Sequence, residues 1–184
     1  LLRADGLRLR LSAPSPSPAG VRKASFPPVV DEHTRVLILG SLPGDVSLAR
    51  AQYYAHPRNQ FWRLLAAVSG QDMPQSYEAR LGALRALGVG LWDVVGSAER
   101  NGSLDGAIRL ARANPLAELV DTLPRLDVVA FNGGRAGKMG APALADRPGL
   151  DLLALPSSSP AYTLAFERKL DRWRALQPYL PQNR

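Results

Sequence analysis

The sequence predicts an α/β fold, a three-layer α/β/α sandwich in which a four-stranded parallel sheet lies between helices. Four short apolar runs are bounded by Gly, Pro or Asp, as expected of strands that are covered on both faces. Helical patterns alternate with these runs along the chain. With 184 residues and 46% hydrophobic content, the chain is large enough to form one domain with its own core.

The four predicted strands, in chain order, are residues 36–40, 89–95, 127–131 and 151–155. Helical periodicity predicts helices at residues 60–69, 77–87, 116–123 and about 164–176. The third helix has a start signal, because Asn114 is a capping residue and Pro115 suits a first turn. Alternation of strands and helices implies right-handed crossover connections, and therefore parallel strands.

The N-terminal segment 1–24 differs from the rest, since it is basic and rich in proline and serine. Such sequence buries too little apolar surface to order itself, so we predict a flexible tail followed by a single domain at 25–184. The net charge of +7 favours a polyanionic partner. The alternative is that the charge reflects a general preference for arginine over lysine, because arginine supplies 20 of the 23 cations.

Several kinds of chemistry are excluded by the composition and motifs. The absence of cysteine excludes disulfides, thiolate metal sites and cysteine nucleophiles. Residues 132–139 lack the first Gly and the final Ser or Thr of a phosphate-binding GxxxxGK[ST] loop. Because His33 and His56 are the only histidines and no acidic cluster accompanies them, we expect no serine triad, no metal and no cofactor. No apolar run reaches the ~18 residues of a membrane span, and no signal peptide is predicted.

Residues 36–62 are the most informative stretch of the chain. A buried strand leads into the loop GSLPG (40–44), and a polar, aromatic segment follows up to Asn59. Open α/β sheets bind their ligands at the carboxyl ends of parallel strands. The rings of Tyr53 and Tyr54 and the amides of Gln52 and Asn59 suit a flat heterocycle such as a nucleobase.

Six motifs in one order resemble the uracil-DNA glycosylase superfamily, and within it the hypoxanthine-DNA (deoxyinosine) glycosylases. They are GSLPG (40–44), QYYAHPRNQFW (52–62), GLWDV (90–94), GSLD (102–105), FNG (131–133) and LPSSSPA (155–161). The resemblance extends from about Ser25 to the C-terminal helix. It implies a DNA glycosylase domain with the four-stranded parallel sheet predicted above.

The activity that the resemblance implies is monofunctional base excision. Such an enzyme flips a deaminated base, here hypoxanthine by preference, out of the DNA and hydrolyses its N-glycosidic bond to leave an abasic site. The implied partner is double- or single-stranded DNA containing that base; we expect a cytoplasmic, nucleoid-associated monomer that does not bind a membrane. The alternatives are a uracil or mismatch-specific uracil/thymine glycosylase, a catalytically weak lesion-binding module, and a small nucleotide-binding protein.

The resemblance assigns the main catalytic role to Asn59. Many superfamily members carry Asp or Asn in the first loop to position the attacking water, and this sequence has Leu42 there. The amide of Asn59 would hydrogen-bond the base or hold the water, so neutral dipoles rather than a carboxylate would assist departure of the base. The alternative is an N-cap, because Asn59 comes immediately before an apolar-periodic helix.

Four further residues are candidates for binding the base. The backbone N–H groups of Ser41 and Leu42 would stabilise its developing negative charge, and Tyr54 would stack on it. His56 would relay charge to the base or to a phosphate. The alternatives are core packing for Tyr54 and fixing of the loop for His56. Asp45 is a weaker candidate for stabilising the sugar cation, or else a cap.

The DNA-binding candidates lie in the loop after the fourth strand. Ser157, Ser158 and Ser159 would hold phosphates, and Ala161 or Tyr162 would fill the gap left in the duplex. The alternative is a serine-rich loop without a ligand. Arginines at 58, 135, 168 and 172 are further candidates to line the DNA path. The three lysines of the chain all lie outside the matched active-site motifs, which favours attack by water over attack by an amine.

Overall fold

The computed structural model describes residues 20–181. Seven strands are found in this range, namely β1 (Arg22–Ala24), β2 (Val36–Gly40), β3 (Val89–Asp93), β4 (Val95–Glu99), β5 (Arg109–Ala113), β6 (Val128–Asn132) and β7 (Asp151–Leu155). Six α-helices are α1 (Asp45–Arg50), α2 (Phe61–Ser69), α3 (Tyr77–Ala86), α4 (Leu116–Asp121), α5 (Gly134–Gly140) and α6 (Phe166–Trp173). Short 3-10 helices lie at Asp105–Ala107, Ala141–Leu144 and Arg174–Tyr179.

The central sheet is parallel and four-stranded, with the order β3-β2-β6-β7. Strand β2 is buried along its whole length, as its unbroken apolar sequence predicts. Its register places Gly40 beside Asp93 at the carboxyl edge, so the loops that follow β2 and β3 begin next to each other. The predicted sheet is confirmed.

Alternate residues of β2 serve two separate cores. Val36 and Ile38 pack in one hydrophobic cluster with side chains of α2, α3 and α6. Leu37 and Leu39 pack in a second cluster with side chains of α4 and α5. Since successive side chains of a strand point to opposite faces, the sheet lies between two helical layers, and the predicted three-layer sandwich is confirmed.

A second, antiparallel sheet of order β1-β4-β5 was not predicted. The expected strand 89–95 is divided, because β3 ends at Asp93 and β4 begins at Val95. The assignment of residues 22–24 to the tail is wrong, since they form β1 and pair with Ser97–Glu99. A three-residue strand has little local signal, and its pairing partner lies about 75 residues away in sequence. Residues 1–19 of the predicted tail lie outside the described residues.

The helices match their predicted positions closely, except that two were missed. Helix α1 has only six residues, and the sequence of α5 contains three glycines, which lower helix propensity. Tertiary packing accounts for α5, because a Cβ at Gly140 would lie 2.6 Å from the ring of Phe131. Within residues 20–181, no helix combines the length and hydropathy needed to cross a membrane.

Candidate active site

A cleft of about 400 Å³ opens at the carboxyl edge of the parallel sheet. Its walls are the loop after β2, the strand ends of β3 and β6, the turn at 103–105 and the loop after β7. The ten residues predicted for catalysis, base binding or DNA binding line it: Ser41, Leu42, Tyr54, His56, Asn59, Ser157, Ser158, Ser159, Ala161 and Tyr162. Gln52 and the arginines at 58, 168 and 172 do not line it. The structure therefore brings these ten residues together where α/β sheets bind ligands, while the role of each residue stays a prediction.

The loop after β2 is held in place from below by Arg100. This side chain is buried, and its guanidinium donates hydrogen bonds to the carbonyl oxygens of Leu42, at 3.2 Å, and Pro43. Burial lowers the pKa of Arg100. The N–H groups of Ser41 and Leu42 donate to no atom of residues 20–181. A loop fixed through its carbonyls thus keeps two backbone donors without protein partners beside the cleft.

Gly40 allows two side chains to approach the floor of the cleft. A Cβ at this position would lie 2.8 Å from a carboxylate oxygen of Asp93 and 3.4 Å from the Tyr54 hydroxyl. The first distance is too short for any real side chain. A glycine is therefore required at the end of β2 for Asp93 and Tyr54 to sit where they do.

The ring of Tyr54 stacks on Phe61, with centroids 3.9 Å apart and planes at 7°. One face of Tyr54 thus belongs to the core, and only the opposite face can receive a ligand from the cleft. Its hydroxyl accepts a hydrogen bond from Nδ2 of Asn132 at 3.2 Å. Burial, reinforced by the charge of Asp93, raises the pKa of Tyr54 above its ordinary range. The core-packing and stacking interpretations of this residue are therefore compatible.

Asn59 contacts the start of α2 through its side-chain oxygen. Oδ1 accepts a hydrogen bond from the backbone N–H of Phe61 at 2.9 Å, and this donor fixes which end of the amide carries the oxygen. The N-cap position itself is occupied by Gln60, which makes no side-chain cap bond, so the prediction of Asn59 as the N-cap is wrong by one residue. Asn59 still binds the first N–H of the helix from the position before the cap. Nδ2 donates to no atom of the described chain, so a ligand in the cleft would meet Asn59 as a hydrogen-bond donor.

His56 is tied into its own loop. Its Nδ1 accepts a hydrogen bond from the backbone N–H of Arg58 at 3.1 Å, and its carbonyl oxygen accepts one from Asn59 at 2.9 Å. In the neutral imidazole the proton therefore sits on Nε2. The loop-fixing interpretation of His56 is supported, and Nε2 is the nitrogen that can donate to a ligand.

Asn132 joins the two sides of the cleft and was missed by the sequence analysis as a site residue. It is buried at the end of β6, between β2 and β7. Its Oδ1 accepts from the Ser158 N–H at 2.8 Å, and its Nδ2 donates to the Ser158 hydroxyl at 2.9 Å and to Tyr54. A polar residue that ends an otherwise apolar strand was the available signal.

The loop at 157–162 uses its polar groups largely on itself. The hydroxyl of Ser157 accepts from the Ser159 N–H at 3.1 Å, and the hydroxyl of Ser159 accepts from the Ala161 N–H at 3.2 Å. The buried ammonium group of Lys169 donates to the Ser159 carbonyl at 3.3 Å. Each serine hydroxyl still has a proton to donate. At the rim, Ala161 is exposed and Tyr162 is 48% exposed.

Two carboxylates of the cleft, Asp93 and Asp105, were missed, whereas the weaker candidate Asp45 also lines it. That neutral dipoles assist departure of the base stays a prediction. Asp93 is buried at the floor and accepts a hydrogen bond from the Ser25 hydroxyl at 2.8 Å. Burial raises the pKa of Asp93 to about 7. Asp105 accepts a hydrogen bond from the Ser41 hydroxyl at 2.5 Å. Asp93 and Asp105 lie in the family motifs GLWDV and GSLD, but these motifs alone gave no reason to place the two residues beside the first loop. In the described part of the chain, no three His, Asp or Glu side chains are grouped to hold a metal.

Comparison with known proteins decides the family. The family model of the Uracil DNA glycosylase superfamily matches residues 27–180. The chain belongs to this superfamily. The cleft just described therefore lies in a member of a DNA glycosylase family, and DNA is the substrate class that goes with it.

Two curated relatives of this superfamily member are each described as a hypoxanthine DNA glycosylase. The one from Methanosarcina barkeri (strain Fusaro) is 47% identical over 119 residues, which cover 64% of this chain and 75% of the relative. The one from Methanosarcina acetivorans is 39% identical over 155 residues, covering 84% and 97%. A solution NMR structure from Methanosarcina acetivorans, described as a uracil DNA glycosylase, is similar with a TM-score of 0.77 and 38% identity, covering 85% of this chain and 97% of that one.

Proposed function

We propose that the protein is a monofunctional DNA glycosylase that removes hypoxanthine and leaves an abasic site. The observation that carries this proposal is a set of unpaired donors around one aromatic ring. The N–H groups of Ser41 and Leu42 and the amide Nδ2 of Asn59 have no partner within residues 20–181, and all three residues line the cleft that holds Tyr54. The curated relatives described as hypoxanthine DNA glycosylases support the choice of base.

The flipped purine would lie on the open face of Tyr54. Stacking on an aromatic ring contributes about 1–3 kcal/mol per base, which offsets part of the energy needed to unstack it. Hypoxanthine presents O6 and N7 as acceptors along one edge, as guanine does. Donors aimed at these atoms stabilise the negative charge that develops as the base leaves, and such preorganised donors are worth most in a site poor in water.

The rim of the cleft is suited to the DNA strand that carries the base. The side chain of Arg135 lines the cleft. Its guanidinium would pair with a phosphate next to the flipped nucleotide. Tyr162 projects at the same rim and would fill the gap in the duplex, while the serine loop would contact the backbone. The protein would act as a monomer, and the net charge of +7 favours DNA binding.

Base removal by water is favoured by the placement of the lysines. Lys23 pairs with Asp45 and donates to the Gly102 carbonyl at 2.7 Å, and Lys169 is buried against Ser159. Neither these two nor Lys138 lines the cleft. An amine nucleophile is therefore not available at the base-binding position, so the expected product is an intact strand with an abasic site that breaks only after alkali.

A base-release assay tests the proposal. Duplexes and single strands carrying one hypoxanthine, uracil, xanthine or mismatched thymine would be incubated with excess protein. We expect hypoxanthine to be released fastest. Faster release of uracil would contradict the base preference and favour a uracil DNA glycosylase, the second candidate, which the description of the similar NMR structure supports. Tight binding without release of any base would leave only a lesion-binding module.

Variants of Asn59 separate catalysis from the hydrogen bond to the start of α2. Asn59→Ala removes both functions, whereas Asn59→Ser removes the amide donor but keeps an oxygen that can accept from the Phe61 N–H. We expect both variants to lose roughly 10²–10³-fold in excision rate, the loss typical of removing one preorganised donor. Only the alanine variant should lose about 1 kcal/mol of stability. Asn101→Ala, at an exposed asparagine outside the cleft, is the matched control and should retain activity.

A further inference from the structure

Asp105 reaches the loop after β2 from a distant part of the chain. It begins the 3-10 helix Asp105–Ala107, lines the cleft and is half-buried. Its Oδ1 accepts the hydroxyl proton of Ser41 at 2.5 Å. Ser41 also carries one of the two unpaired backbone N–H groups, so a donor and a carboxylate meet at the same residue.

Three carboxylates line the cleft, and their surroundings differ. Asp45 is engaged in an ion pair with Lys23. Asp93 is buried at the floor, where burial raises its pKa to about 7. Asp105 forms no ion pair among residues 20–181, and its side chain is bonded to the neutral hydroxyl of Ser41. Arg100 attracts it from a longer distance, but that guanidinium is already bonded to two carbonyl oxygens. Asp105 is therefore the carboxylate most available to a ligand.

We propose that Asp105 is a further catalytic residue, which stabilises the cationic sugar and accepts a proton from the attacking water. The inference rests on the proposed glycosylase function and adds an anionic group to it. Cleavage of an N-glycosidic bond places positive charge on the sugar and negative charge on the base. Donors on Ser41, Leu42 and Asn59 suit the base, whereas none of them stabilises the sugar. Asp105 supplies the opposite charge in the same cleft.

The step balances with water as the only co-reactant. The C1′–N9 bond breaks, and its electron pair leaves with the purine. The water oxygen forms a bond to C1′ and keeps one hydrogen as the new hydroxyl group. Its other proton passes to the Asp105 carboxylate and then to solvent, and the purine takes up a proton from solvent. The Ser41 hydroxyl, bonded to Oδ1, leaves Oδ2 for the water.

Two substitutions at Asp105 test this role. Asp105→Asn keeps an oxygen that can accept from Ser41 but removes the charge, and Asp105→Ala removes both. Under excess enzyme on a duplex containing hypoxanthine, we expect both to be slower by about 100-fold or more, within the range of acid–base catalysis. Binding of a duplex with a non-cleavable 2′-fluoro hypoxanthine nucleotide should be unchanged or tighter, because an anion is removed from a DNA-binding cleft.

The contrary outcomes are distinct. If Asp105→Asn retains the wild-type rate, the inference is overturned, whether or not Asp105→Ala is slow, because the group would then be needed only for its hydrogen bond to Ser41. Weaker binding that accounts for the whole loss of rate would also overturn it. Asp146→Asn, at an exposed carboxylate away from the cleft, is the matched control. Wild-type protein that releases no base would overturn both this inference and the proposed function.

Discussion

The first wall of the cleft, residues 40–59, leaves several polar groups without a protein partner, whereas the serine wall, residues 157–162, bonds most of its own internally. On the first wall, the N–H groups of Ser41 and Leu42 and the Nδ2 of Asn59 donate to no atom of the described chain. On the serine wall, the hydroxyls of Ser157 and Ser159 accept backbone N–H groups of their own loop. The first wall therefore presents free N–H and amide donors to the shared space, whereas the serine wall presents hydroxyl groups that each already accept a bond.

The backbone conformation also differs between the two walls, because only the first wall contains residues with positive φ. Tyr54 has φ 54° and Ala51 has φ 51°, in the left-handed region that non-glycine residues rarely adopt. Residues 157–162 have no positive φ. Strained conformations and unpaired donors both cost stability, and both cluster at binding sites. The difference favours the prediction that the first wall carries the chemistry and that the serine wall is a preformed support.

The largest expected effect comes from substituting Asn132, which holds the serine wall by its hydrogen bonds to Ser158. Asn132→Leu loses three hydrogen bonds and leaves the buried N–H of Ser158 unpaired. We expect a loss of about 4 kcal/mol in the free energy of unfolding, measured in urea, together with a severe loss of excision. Ser158→Ala removes one of these bonds and should cost about 1 kcal/mol. Equal losses of unfolding free energy in the two variants would argue against Asn132 as the residue that holds the serine wall.

The buried carboxyl group of Asp93, at the floor of the cleft, makes the stability of the protein depend on pH. The folded-state pKa of Asp93, about 7, lies above its ordinary value of 3.8, so the folded protein retains a proton that the unfolded chain has lost. Stability of the wild type should therefore fall as pH rises towards 7. Relative to Asp93→Asn, which lacks this titration, we expect a decrease of about 2 kcal/mol between pH 5 and 7, because the slope of ~1.4 kcal/mol per pH unit flattens as the pH nears the folded-state pKa. If the difference in unfolding free energy between wild type and Asp93→Asn stayed constant with pH, the prediction would be wrong.

Tyr54 is the next test of the first wall. Tyr54→Ala should slow excision about 10–100-fold, because stacking of the base contributes about 1–3 kcal/mol. Tyr54→Phe keeps the ring on Phe61 and loses only the bond to Asn132, so its rate should stay within about threefold of wild type. Single-turnover rates on hypoxanthine duplexes provide the measurement. If the phenylalanine variant were as slow as the alanine variant, the hydroxyl rather than the ring would matter.

The smallest expected effect is at Ser159. Its hydroxyl accepts one N–H within the serine wall, so Ser159→Ala should cost about 1 kcal/mol of stability and leave excision within about threefold. Thermal unfolding and the same base-release assay measure both quantities. A large loss of excision in a stable variant would show that this wall acts on the substrate directly, and the contrast between the walls would then fail.

Local sequence was a good guide to the sheet and to the first loop. The apolar runs at 36–40 and 151–155 are strands with those bounds, and the ten residues predicted for catalysis, base binding or DNA binding line one cleft. The antiparallel sheet was not predictable in this way, because β5 has five exposed residues and no apolar alternation. Its strands are defined by pairing with β4 rather than by their own pattern.

By itself the sequence determined the parallel sheet, the family motifs and the order of the loops at the carboxyl edge, because burial of apolar runs and turn chemistry are local properties. Only the tertiary structure decided which distant groups meet there. Asp105 lies 64 residues from Ser41, and Asn132 lies 78 residues from Tyr54 and 26 from Ser158. Hydrogen bonds and charges act over a few ångströms in space, and no periodicity along the chain encodes such distances.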